Sequence, residues 1–150
     1  MPFAAVIEDR IFWIHSGLSI ELTDLNQIRN ITRPTDIPDY GLITDLLWSD
    51  PDSSIIGFQD QCGRSISMDY GVDVVEKFLD KNNFSLIVRA HQVVEDGYEY
   101  FGNRKLVTLF SVPNYWGEFD NNAAVMKVDD SLEVSFTIIR KKKKIKKFTQ

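Results

Sequence analysis

Cysteine and histidine are scarce in this chain, with one cysteine, Cys62, and two histidines, His15 and His91, among 150 residues. A lone cysteine closes no internal disulfide, and Cys62 between Gln61 and Gly63 has no spaced partner, which excludes a disulfide scaffold and a cysteine-based zinc motif. With only 5 prolines and 8 glycines, the chain is neither collagen-like nor a Pro/Gly-rich disordered segment. No apolar run approaches the roughly 20 residues of a spanning helix. The start does not read as a secretory signal either: a basic leader is missing, and Glu8, Asp9 and Arg10 cut the first apolar stretch short. The expectation is a soluble globular protein of the cytoplasm or nucleus. Its 43% apolar and 12% aromatic residues suffice for one hydrophobic core.

Charge is unevenly placed. The formal net charge is −5, yet Arg140 to Lys147 holds seven of the 17 basic residues and no acidic residue follows Glu133. The body up to Ile139 is left with 10 basic residues against 22 acidic ones, a difference of −12. Such a body repels nucleic acid, so no specific nucleic-acid partner is expected. The tail, residues 140–150, reads as a basic disordered end suited to contacting acidic surfaces.

Patterning supplies the elements. Ile11-Phe12-Trp13-Ile14 is short, β-branched and aromatic, and stops at His15-Ser16-Gly17, as a buried strand delivering a histidine to a loop would. Ser19 is placed to cap a helix with Leu22, Leu25 and Ile28 on one face. Arg33 to Asp39 contains Pro34 and Pro38 and must be irregular. Leu42 to Trp48 reads as a short helix ending before Pro51, and Ser49 to Gly63 as a long polar connection turning at Gly57. Gly71 to Asn82 carries Val74, Val75, Phe78 and Leu79 at helical spacing. Leu86-Ile87-Val88 is a strand leading through Arg89 and Ala90 to His91, a second strand with a histidine beyond its end. Leu106 to Phe110 is a further strand, and Ala123 to Val128 with Leu132 to Ile139 form a hairpin around Asp129-Asp130-Ser131.

The chemistry these residues permit is modest when they are taken singly. Histidines at strand ends serve either as hydrogen-bonded structural groups or as metal ligands, imidazole suiting zinc, iron and manganese. Asp45, Asp50 and Asp120 would be the carboxylates to complete a site, but none stands at ligand spacing to either histidine. Arg64 and Arg89 are able to grip a phosphate through paired N–H donors, or to make surface salt bridges. The loop Pro113 to Asn121 mixes Tyr115, Trp116 and Phe119 with acidic residues and suits a binding surface.

Four strings carry more. Arg33-Pro34-Thr35-Asp36, Leu47-Trp48-Ser49-Asp50-Pro51-Asp52, Arg89-Ala90-His91-Gln92-Val93-Val94-Glu95-Asp96-Gly97-Tyr98-Glu99 and the Pro113 to Asn121 loop resemble, in order and spacing, the phosphoprotein phosphatases of the serine/threonine class, and their type-1 branch in particular. The resemblance covers nearly all of residues 1–139. It implies an α/β (α+β) fold, the calcineurin-like metallophosphoesterase β-sandwich flanked by helices, with two divalent ions (manganese, iron or zinc) that activate a bridging water for attack on phosphoserine or phosphothreonine. It places His15 and His91 at metal-ligand positions, Arg64 at a phosphate-binding position and Tyr115 in the loop over the cleft. It further implies phosphoprotein substrates, and regulatory subunits that add a strand to a docking groove lined by Ile11, Leu86, Tyr100, Leu132, Val134 and Phe136. Tyr100 would narrow or hydrate that pocket.

The resemblance has gaps. Gly-Asp-x-His-Gly, Gly-Asp-x-Val-Asp-Arg-Gly and Gly-Asn-His-Glu, which supply the family's other ligands, its catalytic histidine and a second arginine, do not occur in the chain. Residues 1–139 are therefore expected to be the carboxyl-terminal portion of a phosphatase catalytic domain, with no catalytic residue of its own. Two imidazoles are not expected to hold a metal pair stably. Ser16 stands where the family has glycine and is expected to crowd the backbone, and Trp116 replaces a small residue in the overhanging loop. The expectation is a phosphatase-like chain inactive alone; the alternative is a noncatalytic module that keeps the regulatory groove.

Overall fold

The computed structural model describes residues 1–61 and 66–140, in two units: Met1–Gln92 with Glu99–Thr108, and Val93–Tyr98 with the residues from Leu109 on. The expectations for Cys62, Arg64 and the lysine-rich end past Arg140 fall outside the described residues.

The first unit is built on a five-stranded sheet of β1 (Ala4–Ile7), β2 (Ile11–Ile14), β6 (Leu86–Arg89), β8 (Leu106–Leu109) and β7 (Tyr98–Phe101), in that spatial order. β1 pairs antiparallel with β2, whereas β2, β6 and β8 run parallel. Parallel strands need a crossover, and α3 (Val72–Asn82) lies in the one between β2 and β6. α3 follows the helical spacing of its sequence, buries Val75 and Leu79, and stops at Asn83 in the left-handed conformation. A smaller sheet of β3 (Asp50–Pro51), β5 (Met68–Tyr70) and β4 (Phe58–Asp60) follows α2 (Leu42–Trp48), whose limits are those the sequence predicts.

The core of this unit is apolar and aromatic, with Phe12, Leu18, Leu46, Tyr70, Val75, Leu79, Ile87 and Leu106 all buried. Phe12 lies 5.0 Å from Phe78 and 5.7 Å from Phe84, ring centre to ring centre, which joins β2 to α3.

In the second unit β9 (Ala123–Val128) and β10 (Val134–Ile139) form the expected antiparallel hairpin, with Val134 opposite Val128 and Ile139 opposite Ala123. Asp129 organises its turn by accepting bonds from Ser131 N, Ser131 Oγ and Glu133 N. Those bonds, that to the Ser131 hydroxyl foremost, hold its carboxyl below the usual range. Gly97 is required by packing: a Cβ there would lie 2.4 Å from the backbone of Ala123.

Three expectations change. Ser19 caps no helix; its hydroxyl donates to Asp45 and accepts from Glu21 N, and the only helix before Arg33 is α1 (Asn26–Arg29). A buried carboxylate competed successfully for the capping hydroxyl. The connection from Ser49 is not featureless, because β3 and β4 find partners in β5. Leu132 precedes β10, in the left-handed region at φ 65°, since the Asp129 turn runs to Glu133. Met1 to Arg10, to which the sequence assigns no element, contributes β1 and a tight three-residue turn from Glu8 to Arg10, with Glu8 and Asp9 at positive φ and Arg10 N donating to Ile7 O.

Ile87 is fully buried in β6, so Ile87→Ala is expected to lower unfolding stability by about 2–5 kcal/mol. Ile56, 85% exposed, should change it by less than about 0.5 kcal/mol when replaced by alanine. Urea denaturation followed by circular dichroism measures both.

Candidate functional site

β2 and β6 are parallel neighbours with Ile11 opposite Leu86 and Trp13 opposite Val88, so both finish at the same edge of the sheet. His15 follows β2 directly, and His91 stands two residues past β6. Ala90 N donates to His15 O at 2.9 Å, extending the pairing into the loops. The result is close approach: His15 Nε2 and His91 Nδ1 are 3.3 Å apart, with the rings edge to face at 75°. His91 adopts φ 68°, and the Trp48 ring meets it edge-on at 5.3 Å.

The residues that follow the two histidines join a buried polar network. The Arg89 side chain is fully enclosed and pairs with Asp50 at 2.6 Å. Its Nε donates to Ser16 O, its Nη2 reaches Ser16 Oγ at 3.3 Å, and its Nη1 donates to Gln92 Oε1 at 2.6 Å and touches Thr108 Oγ1 at 3.4 Å. Arg89, offered by the sequence as a phosphate grip or surface ion pair, is neither; it is sealed under the site. Ser16 does not crowd the backbone as expected, because its hydroxyl is buried and donates to Ser49 O at 2.6 Å. The tight position is Gly17, where a Cβ would lie 2.4 Å from the Tyr70 ring and 2.7 Å from Ser49 Oγ.

Burial, and secondarily the Arg89 charge, pull the His15 pKa below its ordinary value. His15 is thereby kept neutral in neutral solution, the form that offers a lone pair to a metal. Two imidazoles binding one tetrahedral ion at about 2.1 Å place their nitrogens about 3.4 Å apart, and the observed 3.3 Å fits that. Among the described residues no group of three or more His, Cys, Asp or Glu side chains forms a metal site. Asp45 is bonded to Ser19 and Ser67, and Asp50 to Arg89. The residues present fit two ligands of one ion and do not fit a bridged pair.

The other expected positions lie as follows. Tyr115, in the second unit, is half-buried in a turn held by buried Asn121, which accepts from Tyr115 N and donates to Val112 O. Its ring meets Phe110 edge-on at 5.1 Å, and Trp116 beside it is 78% exposed at φ 57°. Ile11 and Leu86 are core residues, 3% and 8% exposed, with little surface to offer a docking peptide. Tyr100 is half-buried with the Arg104 guanidinium 4.5 Å from its ring centre. Leu132, Val134 and Phe136 are half-buried in the second unit, Phe136 stacked on Tyr98 at 3.9 Å. Ser16 drew attention from its sequence only as a residue that would crowd the backbone, and Gln92 not at all; adjacency to the histidines was the available signal.

The sequence profile of the calcineurin-like phosphoesterases matches residues 1–95. The chain belongs to that family. Among solved structures, a protein serine/threonine phosphatase from Saccharomyces cerevisiae, described as similar to human phosphatase PP5, matches with a TM-score of 0.84 at 25% identity. The match covers 97% of this chain and 49% of the yeast one, so this calcineurin-like phosphoesterase chain spans about half the length of that structure. Its mixed α/β architecture is the family's fold, and calcineurin-like phosphoesterases use divalent metals.

The His15 environment sets a pH dependence. Unfolded, its pKa returns to about 6.5; folded, it is lower. Below about pH 6.5 the unfolded state takes up the proton first, so this contribution to stability is full above that value and is lost as the pH falls through the folded pKa. Melting temperatures between pH 7.5 and 5.5 should therefore fall less steeply in His15→Gln than in the parent; equal slopes would contradict the assignment.

Proposed function

We propose that residues 1–139 form the carboxyl-terminal portion of a type-1-like serine/threonine protein phosphatase catalytic domain, in which His15 and His91 are ligands of one ion of a metal centre that acts on phosphoserine and phosphothreonine. The observation that carries this reading is the 3.3 Å approach of two imidazole nitrogens at the ends of parallel strands. Membership of the calcineurin-like phosphoesterases and the likeness to the yeast phosphatase support it. A bound divalent ion would supply charge to draw in phosphate oxygens and to acidify a water. This chain's own contribution is to hold two imidazoles in ligand register beside a buried polar network, with the His15 pKa lowered by burial and by Arg89. Arg64 and Tyr115 are assigned to phosphate binding by resemblance alone. Because the described residues bring no further ligand to the pair, hydrolysis by the 150-residue polypeptide alone is not expected.

The test is to purify the chain with manganese and supply a phosphothreonine peptide. Turnover should stay at the protein-free background. Turnover of about 1 s⁻¹ or more, abolished by His91→Ala, would overturn the statement that the chain is inactive alone while leaving the ligand assignment standing.

A second reading, a noncatalytic module that binds type-1 regulatory subunits, is favoured by apolar exposure on the hairpin, where Val125, Ile138 and Ile139 are 44%, 38% and 43% exposed. Titrating a labelled basic-apolar docking peptide against folded protein should give saturable binding on this reading; a flat titration would eliminate it.

A further inference from the structure

Each ligand candidate is followed by a residue that Arg89 holds. Ser16, directly after His15, gives its carbonyl to Arg89 Nε and its hydroxyl to Nη2. Gln92, directly after His91, gives its side-chain oxygen to Nη1. One planar cation thus grips both histidine loops, with Asp50 holding Nη2 at 2.6 Å. A guanidinium is suited to this because its donors point in fixed directions from one plane; an ammonium carries the charge without the fork. Removing such a pair from water costs several kcal/mol per ion, so stability alone gives weak reason to keep it here.

We propose that Arg89, braced by Asp50, is the positioning residue of the site: by gripping Ser16 and Gln92 it sets the distance between His15 and His91. This deepens the metal-ligand reading above, although the distance it sets exists in the metal-free chain and can be measured without a metal. Arg89 touches neither substrate nor ion in this role. Its effect on any bound metal passes through the histidine loops, and outer-shell partners of this kind typically govern metal affinity by about 10–100-fold.

Gln92→Ala removes the grip on the His91 loop and leaves the Asp50 ion pair in place, whereas Ser16→Ala removes only the hydroxyl contact and keeps the carbonyl bond to Nε, so both should fold. Arg89→Lys keeps the charge and loses the fork. The direct readout is the nuclear Overhauser contact between the His15 and His91 rings in metal-free protein, whose ring centres lie 5.2 Å apart. That contact should be present in the parent, weakened in Gln92→Ala, nearly unchanged in Ser16→Ala, where the carbonyl bond to Nε persists, and absent in Arg89→Lys, with far-ultraviolet circular dichroism unchanged. Cobalt titrated into the same samples, read by its visible absorption, should bind about 10-fold more weakly to Gln92→Ala than to the parent. A full-strength ring contact in folded Gln92→Ala overturns the positioning role whatever happens to Arg89→Lys, and so does a full-strength contact in Arg89→Lys. If the parent shows the ring contact but does not bind cobalt, the ligand reading fails while the variants still decide the positioning role.

Discussion

The parallel pairing of β2 with β6 is the constraint from which the site follows. Two strands that point the same way end at the same edge of a sheet, so residues just past their ends become neighbours although 76 positions separate His15 from His91. Antiparallel pairing would have sent them to opposite edges. The pairing itself depends on α3, the crossover element that buries Val75 and Leu79 in the core. The amphipathic spacing of residues 72–82 is thus a condition for chemistry at positions 15 and 91.

Next to the two histidine loops the protein places a buried charge where most of its core is hydrocarbon. An arginine with no exposed side-chain surface is tolerable only when its donors are satisfied, and Arg89 spends them on Asp50, Ser16, Gln92 and Thr108. The low dielectric that makes this network costly also makes it directional and stiff. It extends upward as well: burial together with the Arg89 charge keeps His15 neutral, the state in which an imidazole nitrogen offers its lone pair. The Trp48 ring against His91 closes the side of α2.

Seen from the amino-acid order, several features were legible and others were not. The strands around Phe12 and Ile87, α2, α3 and the β9–β10 hairpin were readable because their signals are local: apolar runs, helical spacing and turn residues. β1 was not, because Glu8 and Asp9 look like an interruption until both adopt positive φ and turn the chain back on itself. Ser19 has the composition of a helix cap, but capping is a local bond, and buried Asp45, 26 positions away, took the hydroxyl instead. Arg89 was misjudged for the same reason. An isolated arginine reads as surface or phosphate-binding, and its partner Asp50 is 39 residues distant.

What the sequence by itself determined about His15 and His91 is that each stands just beyond a short, buried, β-branched strand, and that the strings around them resemble a phosphatase. That much is local, since strand propensity and turn residues act over a few positions. Only the tertiary structure decided that the strands are parallel neighbours, that the two nitrogens approach to 3.3 Å, and that one buried guanidinium spans the two loops. Strand order, register and the burial of a charge are set by which distant segments exclude water together, and no window of neighbouring residues contains that information.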